Sequence, residues 1–149
     1  MIEARATVLI DRPLEEVFDY LADSRNEPRW LPGAERVEKT SDGPVGLGTT
    51  FEGTYARAGR VELTLVAFDR PTAVTFRAHS KIVDFDDAVK LSDENGQTRL
   101  EATMTAQPRG VMRLASPLMA KTMRRQFEGN WVHLKTTLEE AATSRPASP

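Results

Sequence analysis

The chain has 149 residues, a formal net charge of -2 and no cysteine. That length suits one domain able to bury a core without disulfides or a structural metal, and the lack of thiols excludes cysteine chemistry. Interspersed charges give no field to recruit nucleic acid or an anionic membrane surface, no apolar run approaches the roughly 20 residues of a membrane span, and no signal peptide is evident, so a cytoplasmic protein is expected.

Residues 2–10 alternate, with Ile2, Ala4, Ala6, Val8 and Ile10 on one side, which predicts a strand with one buried face. Asp11, Arg12 and Pro13 stop it, and Leu14, Val17, Phe18 and Leu21 recur at helical spacing behind Glu15 and Glu16, where the helix dipole favours acids. The next stretch is broken by Asn26, Pro28, Pro32 and Gly33, leaving room for a helical turn over 26–30 that carries Trp30. From 34 to 106 the pattern becomes repetitive β. Val37 marks a short segment, Phe51 and Tyr55 share a face over 49–56, and Ala58 and Gly59 suggest a hairpin turn. Val61, Leu63, Leu65 and Ala67 point one way, as do Val74, Phe76 and Ala78, then Val83, Phe85, Asp87, Val89 and Leu91, and finally Leu100, Ala102, Met104 and Ala106. Short turns between such runs imply an antiparallel meander.

Ser116 and Pro117 then open a helix expected to reach 142, because serine accepts from an orphan N–H and proline at the first helical position has none to lose. Its length of roughly 39 Å would cross a small domain. Ala120, Met123, Phe127, Trp131, Leu134, Leu138 and Ala141 form its apolar stripe. The expected architecture is α+β: one domain over 1–142, with a curved antiparallel sheet wrapped around the long C-terminal helix, short helices after the first strand, and a flexible tail over 143–149. A helix set in the concavity of such a sheet leaves its side chains to fill the space or enclose a cavity.

The element order resembles the START or Bet v 1-like superfamily and, within it, the polyketide cyclase/dehydratase (SRPBCC) group. The resemblance is carried by VLIDRPLEEVFDYLAD at 8–23, NEPRWLPG at 26–33, FDRPTAVTFR at 68–77, NGQTRLEATM at 95–104 and LKTTLEE at 134–140. It implies a helix-grip fold whose cavity takes lipids, polyketides or other apolar molecules.

Cavity lining is expected from Trp30, Phe51, Tyr55, Phe76, Met104, Met123 and Phe127, unless these residues are simply core. Asp87 has inward parity and would need a partner or a raised pKa, unless a β-bulge turns it out beside Asp84 and Asp86. Tyr55 and Asn130 offer polar contacts to a ligand. His79 and His133 lie on outward or flanking positions and make neither a metal site nor a triad, and no cofactor is expected. Three functions fit. The first is a carrier of a small hydrophobic ligand. The second is a cyclase, aromatase or dehydratase with Tyr55 and Asp87 as proton donor and acceptor and Asn130 orienting. The third is a closed-cavity accessory or homodimer using the basic neighbourhood of Arg109, Arg113, Lys121, Arg124 and Arg125.

Overall fold

A computed structural model describes residues 1–144. Seven strands, β1 (Ile2–Ile10), β2 (Ala34–Lys39), β3 (Thr50–Tyr55), β4 (Gly59–Asp69), β5 (Ala73–His79), β6 (Val83–Glu94) and β7 (Gln97–Pro108), form one antiparallel sheet in the order β1-β7-β6-β5-β4-β3-β2. Helix α1 (Leu14–Ala22), a tight turn at Ser24–Asn26 and the four-residue α2 (Glu27–Trp30) carry the chain from one edge strand to the other. Helix α3 (Ser116–Ser144) lies along the concave face. This is the curved-sheet, long-helix architecture that the alternation and the terminal stripe predict. Residues 143 and 144 of the expected tail continue the helix, and 145–149 lie outside the described residues.

The inner face of the sheet is built by the predicted alternation. Ile2 and Ile10 of β1, Val74 and Ala78 of β5, Val89 and Leu91 of β6, and Leu100, Ala102 and Ala106 of β7 are all buried. One strand departs from its sequence pattern. The β4–β5 register shifts between Leu65 and Ala67, so Ala67, expected inward, is exposed, and Phe68 turns in to meet Phe18 of α1 edge-on at 5.2 Å. A bulge adds one residue and reverses the parity beyond it. The hairpin between β3 and β4 also lies a little earlier than expected: Gly59 already pairs with Tyr55, and 56–58 make the turn.

On α3 the buried stripe is Phe127, Trp131, Leu134 and Leu138, with Ala120 and Met123 half-buried and Ala141 exposed. Polar side chains fix the helix along β1, the outer strand of the sheet: Arg124 donates to the Glu3 carbonyl at 2.9 Å and Lys135 to the Leu9 carbonyl at 2.8 Å. These contacts occupy edge carbonyls that would otherwise face water or another strand.

Candidate functional site

A cavity of about 440 Å³ lies between the sheet and the middle of α3. Its floor is a cross-strand row. Phe76 of β5 pairs with Asp87 of β6, which pairs in turn with Met104 of β7, and all three line the space. Neither register breaks near Asp87, so the bulge that would have turned it outward is absent from β6. The acidic run is instead divided by the pleat. Asp86 takes two bonds from Arg77 on the outer face and Asp84 lies 2.7 Å from His79 Nδ1, while Asp87 faces in.

Met123, Phe127, Asn130 and Trp131 of α3 form the roof, with Trp30 of α2 beside them. The rings of Trp30 and Trp131 lie 5.7 Å apart at a tilt of 31°, and Phe127 meets Trp131 edge-on at 5.7 Å. Of the residues expected from the sequence to line a cavity, Phe51 stands apart. It is fully buried opposite Leu63, does not border the cavity, and serves as core.

Tyr55 closes one wall, and its hydroxyl donates a hydrogen bond to the Glu27 carboxylate. Gly53 makes room for this arrangement. A Cβ at position 53 would lie 2.6 Å from Tyr55 Cε2, so the ring can fold back over the inner face because glycine has no side chain there. Glu27 itself was not singled out from the sequence, because it sits in a proline-interrupted stretch without clear periodicity. Its place three residues before Trp30 in one helical turn, which puts both on one face, was the available signal.

The electrostatics are unusual for a carboxylate pair. Burial pushes Glu27 up to about 7, against the stabilising hydrogen bond from Tyr55. Asp87 is pushed up to about 8, by burial first and by repulsion from Glu27 second. Tyr55 is raised as well, by burial, by the Glu27 charge and by the hydrogen bond it donates, so its hydroxyl stays a donor. Among the described residues, three that line the cavity carry buried polar atoms without a hydrogen-bond partner: Asp87 Oδ1, Trp30 Nε1 and Trp131 Nε1. Buried unpaired groups of this kind cost about 1–3 kcal/mol each.

The remaining sequence candidates lie elsewhere. His79 is on the outer face within reach of Arg109 at 2.9 Å, and His133 is exposed. Among the described residues no cluster of His, Cys, Asp or Glu is placed to hold a metal ion, and no helix is long and apolar enough to cross a membrane. Of the basic neighbourhood, Arg109 and Arg124 bond to the protein's own groups, while Arg113, Lys121 and Arg125 are exposed.

A family model described as polyketide cyclase/dehydrase and lipid transport matches residues 1–139. No curated protein matches by sequence. Among solved structures, TTHA0849 from Thermus thermophilus is similar at a TM-score of 0.75 and 19% identity, over 96% of this chain and 99% of that one. The di-domain ARO/CYC BexL from the BE-7585A biosynthetic pathway is similar at 0.74 and 15% identity, over 93% of this chain, which spans 47% of that protein. Ara h 8.0201 is similar at 0.63 and 16% identity, over 92% of this chain and 97% of that one. At such identities the likeness is one of fold.

Proposed function

Because the chain belongs to the polyketide cyclase/dehydrase and lipid transport family, we propose that it takes up a small, largely apolar molecule into the cavity between the sheet and α3. The observation that carries this reading is the combination of a cavity of about 440 Å³ with a few polar side chains, Glu27, Tyr55, Asp87 and Asn130, in a largely apolar lining. The volume falls in the usual range for small-molecule sites, and a few polar groups in an apolar wall are what orients a ligand in such sites. The half-buried Met123 supports the reading, since a flexible thioether repacks around different shapes. In this reading residues 1–142 act as one domain, and the protein works in the cytoplasm.

Two experiments test it. Native mass spectrometry of freshly purified protein is expected to show an adduct of stoichiometric mass that disappears on denaturation. Fluorescence titration with N-phenylnaphthylamine is expected to give affinity weakened by roughly ten-fold in Phe127→Ala or Met123→Ala, the order expected for losing one buried apolar contact. Unchanged affinity in both variants would refute the cavity as the binding site.

A second reading is favoured by one feature, the Tyr55–Glu27 hydrogen bond beside an Asp87 that holds its proton near neutral pH. Two neighbouring acids that both titrate near neutral pH suit proton transfer on a polyketide-like chain folded against the cavity wall. The roles expected from the sequence then change. Asp87 becomes the donor and Glu27 the acceptor, with Tyr55 holding Glu27 in place and Asn130 orienting the chain. Turnover of a β-keto test substrate should disappear in Tyr55→Phe/Asp87→Asn with the fold intact by circular dichroism, and surviving turnover would remove these residues from the chemistry.

A further inference from the structure

The charges on the cavity wall are one-sided. Glu27 and Asp87 line it from α2 and β6, while the single cationic residue in its lining, among the described residues, is Arg57, exposed in the turn between β3 and β4. The described elements packed around Asp87 bring no countercharge. Its neighbours in register are Phe76 and Met104, the basic Arg77 and His79 of β5 are exposed on the outer face, and α3 contributes Met123, Gln126, Phe127, Asn130 and Trp131. Tyr55, from β3, already spends its proton on Glu27. The wall also presents aromatic rings, from Trp30, Phe76, Phe127 and Trp131, among aliphatic side chains.

We propose that the molecule held in this cavity carries a basic nitrogen, with its ammonium group paired to Asp87 and Glu27 inside the aromatic wall. The proposal rests on the binding reading above and specifies its ligand class. An anionic headgroup in the same place would meet two carboxyls and no cation, and would be driven to the mouth beside Arg57. A neutral polar group would leave both acids to hold their protons. An ammonium group instead supplies donors to the carboxyls of Asp87 and Glu27 that line the cavity, turns their desolvation cost into a countercharge, and is attracted to aromatic faces.

Isothermal titration with naphthylethylamine, naphthylethanol and naphthylacetic acid, which share a ring system and differ in headgroup, tests this. The amine is expected to bind at least about ten-fold tighter than the alcohol, as a charge-assisted hydrogen bond implies, with the acid weakest. In Asp87→Asn the advantage of the amine, read as the ratio of amine to alcohol affinity within the same variant, should shrink to within about two-fold. Glu27→Gln provides the same reading if Asp87→Asn does not fold. Equal binding of the three, tightest binding of the acid, or an amine advantage that survives both substitutions would overturn the proposal. N-phenylnaphthylamine, a diarylamine that is uncharged near neutral pH, separates the two levels of failure. If it enters and the amine has no advantage, the headgroup assignment alone falls, and if neither it nor the naphthyl probes enter, the binding reading falls and takes the proposal with it.

Discussion

With its pKa carried to about 8 by burial and by repulsion from Glu27, Asp87 keeps a proton in the folded chain over a pH range in which the unfolded chain has released it. The unfolded state therefore binds fewer protons, and the fold loses stability as pH rises from the ordinary carboxyl range toward 8. Asp87→Asn should remove this penalty. Urea denaturation is expected to show the variant more stable than the parent by a few kcal/mol at pH about 8, with the gap closing near pH 4. A gap of equal size at both pH values would place Oδ1 in contact with bulk water. Gly53 sets a second residue-level test. In Gly53→Ala the new Cβ forces the Tyr55 ring away, so the bond to Glu27 is lost and the fold should weaken by about 1–3 kcal/mol. Tyr55→Phe should weaken it by a similar amount. Since both act on one bond, the double variant is expected to lose little more than either alone, and strict additivity in urea denaturation would show that Gly53 acts independently of Tyr55.

Among the elements, α3 divides its work along its length. Leu134 and Leu138 are buried and anchor the helix, whereas Met123 is half-buried on the cavity roof. Leu134→Ala should therefore lower stability by about 2–5 kcal/mol, and Met123→Ala by less than about 1 kcal/mol while still weakening probe uptake. Comparable losses of stability in the two would mean that the roof of the cavity is as tightly packed as the anchor. The alternation in β6 identified Asp87 as inward, and the unbroken registers on both sides keep it there. Alternation misplaced Ala67, because the bulge lies in β4, where a ring at position 68 gains a partner in Phe18 of α1. Both strands offered the same period-2 signal. What separates them is whether another element rewards a break in register, and that contact is not local in sequence.

For the molecule as a whole, two carboxyls with raised pKa values outweigh in their pH dependence the exposed Asp19 and the half-buried Asp23, whose pKa values are lowered by Arg70 and Arg25. The lowered pair loses its contribution as pH falls below the ordinary carboxyl range, and the raised pair loses its own as pH rises from that range to about 7 and about 8. Thermal unfolding across pH should consequently peak near the ordinary carboxyl range, about pH 4, and decline by about pH 8, and a flat profile over that span would show that Glu27 and Asp87 are solvated in the folded state. A molecule bound in the cavity adds to stability by mass action, so an apolar amine at saturating concentration should raise the midpoint most at the alkaline end.

The layers of this protein are legible in local pattern. Period-2 alternation over the strands and a long amphipathic stripe at the end leave a sheet and one helix to bury against each other, since each apolar face needs the other. The same pattern placed Trp30, Tyr55, Phe76, Met104, Met123, Phe127 and Asn130 on elements that converge. That Phe51 is core while those residues border a space emerges with folding, because whether two apolar faces meet or stand apart depends on sheet curvature and helix height, which no local pattern encodes. Folding also joins Glu27 to Tyr55 and Asp87 across α2, β3 and β6. A shifted pKa is a property of enclosure and of neighbours distant in the chain, so the chemistry of the cavity becomes visible once the chain is folded around it.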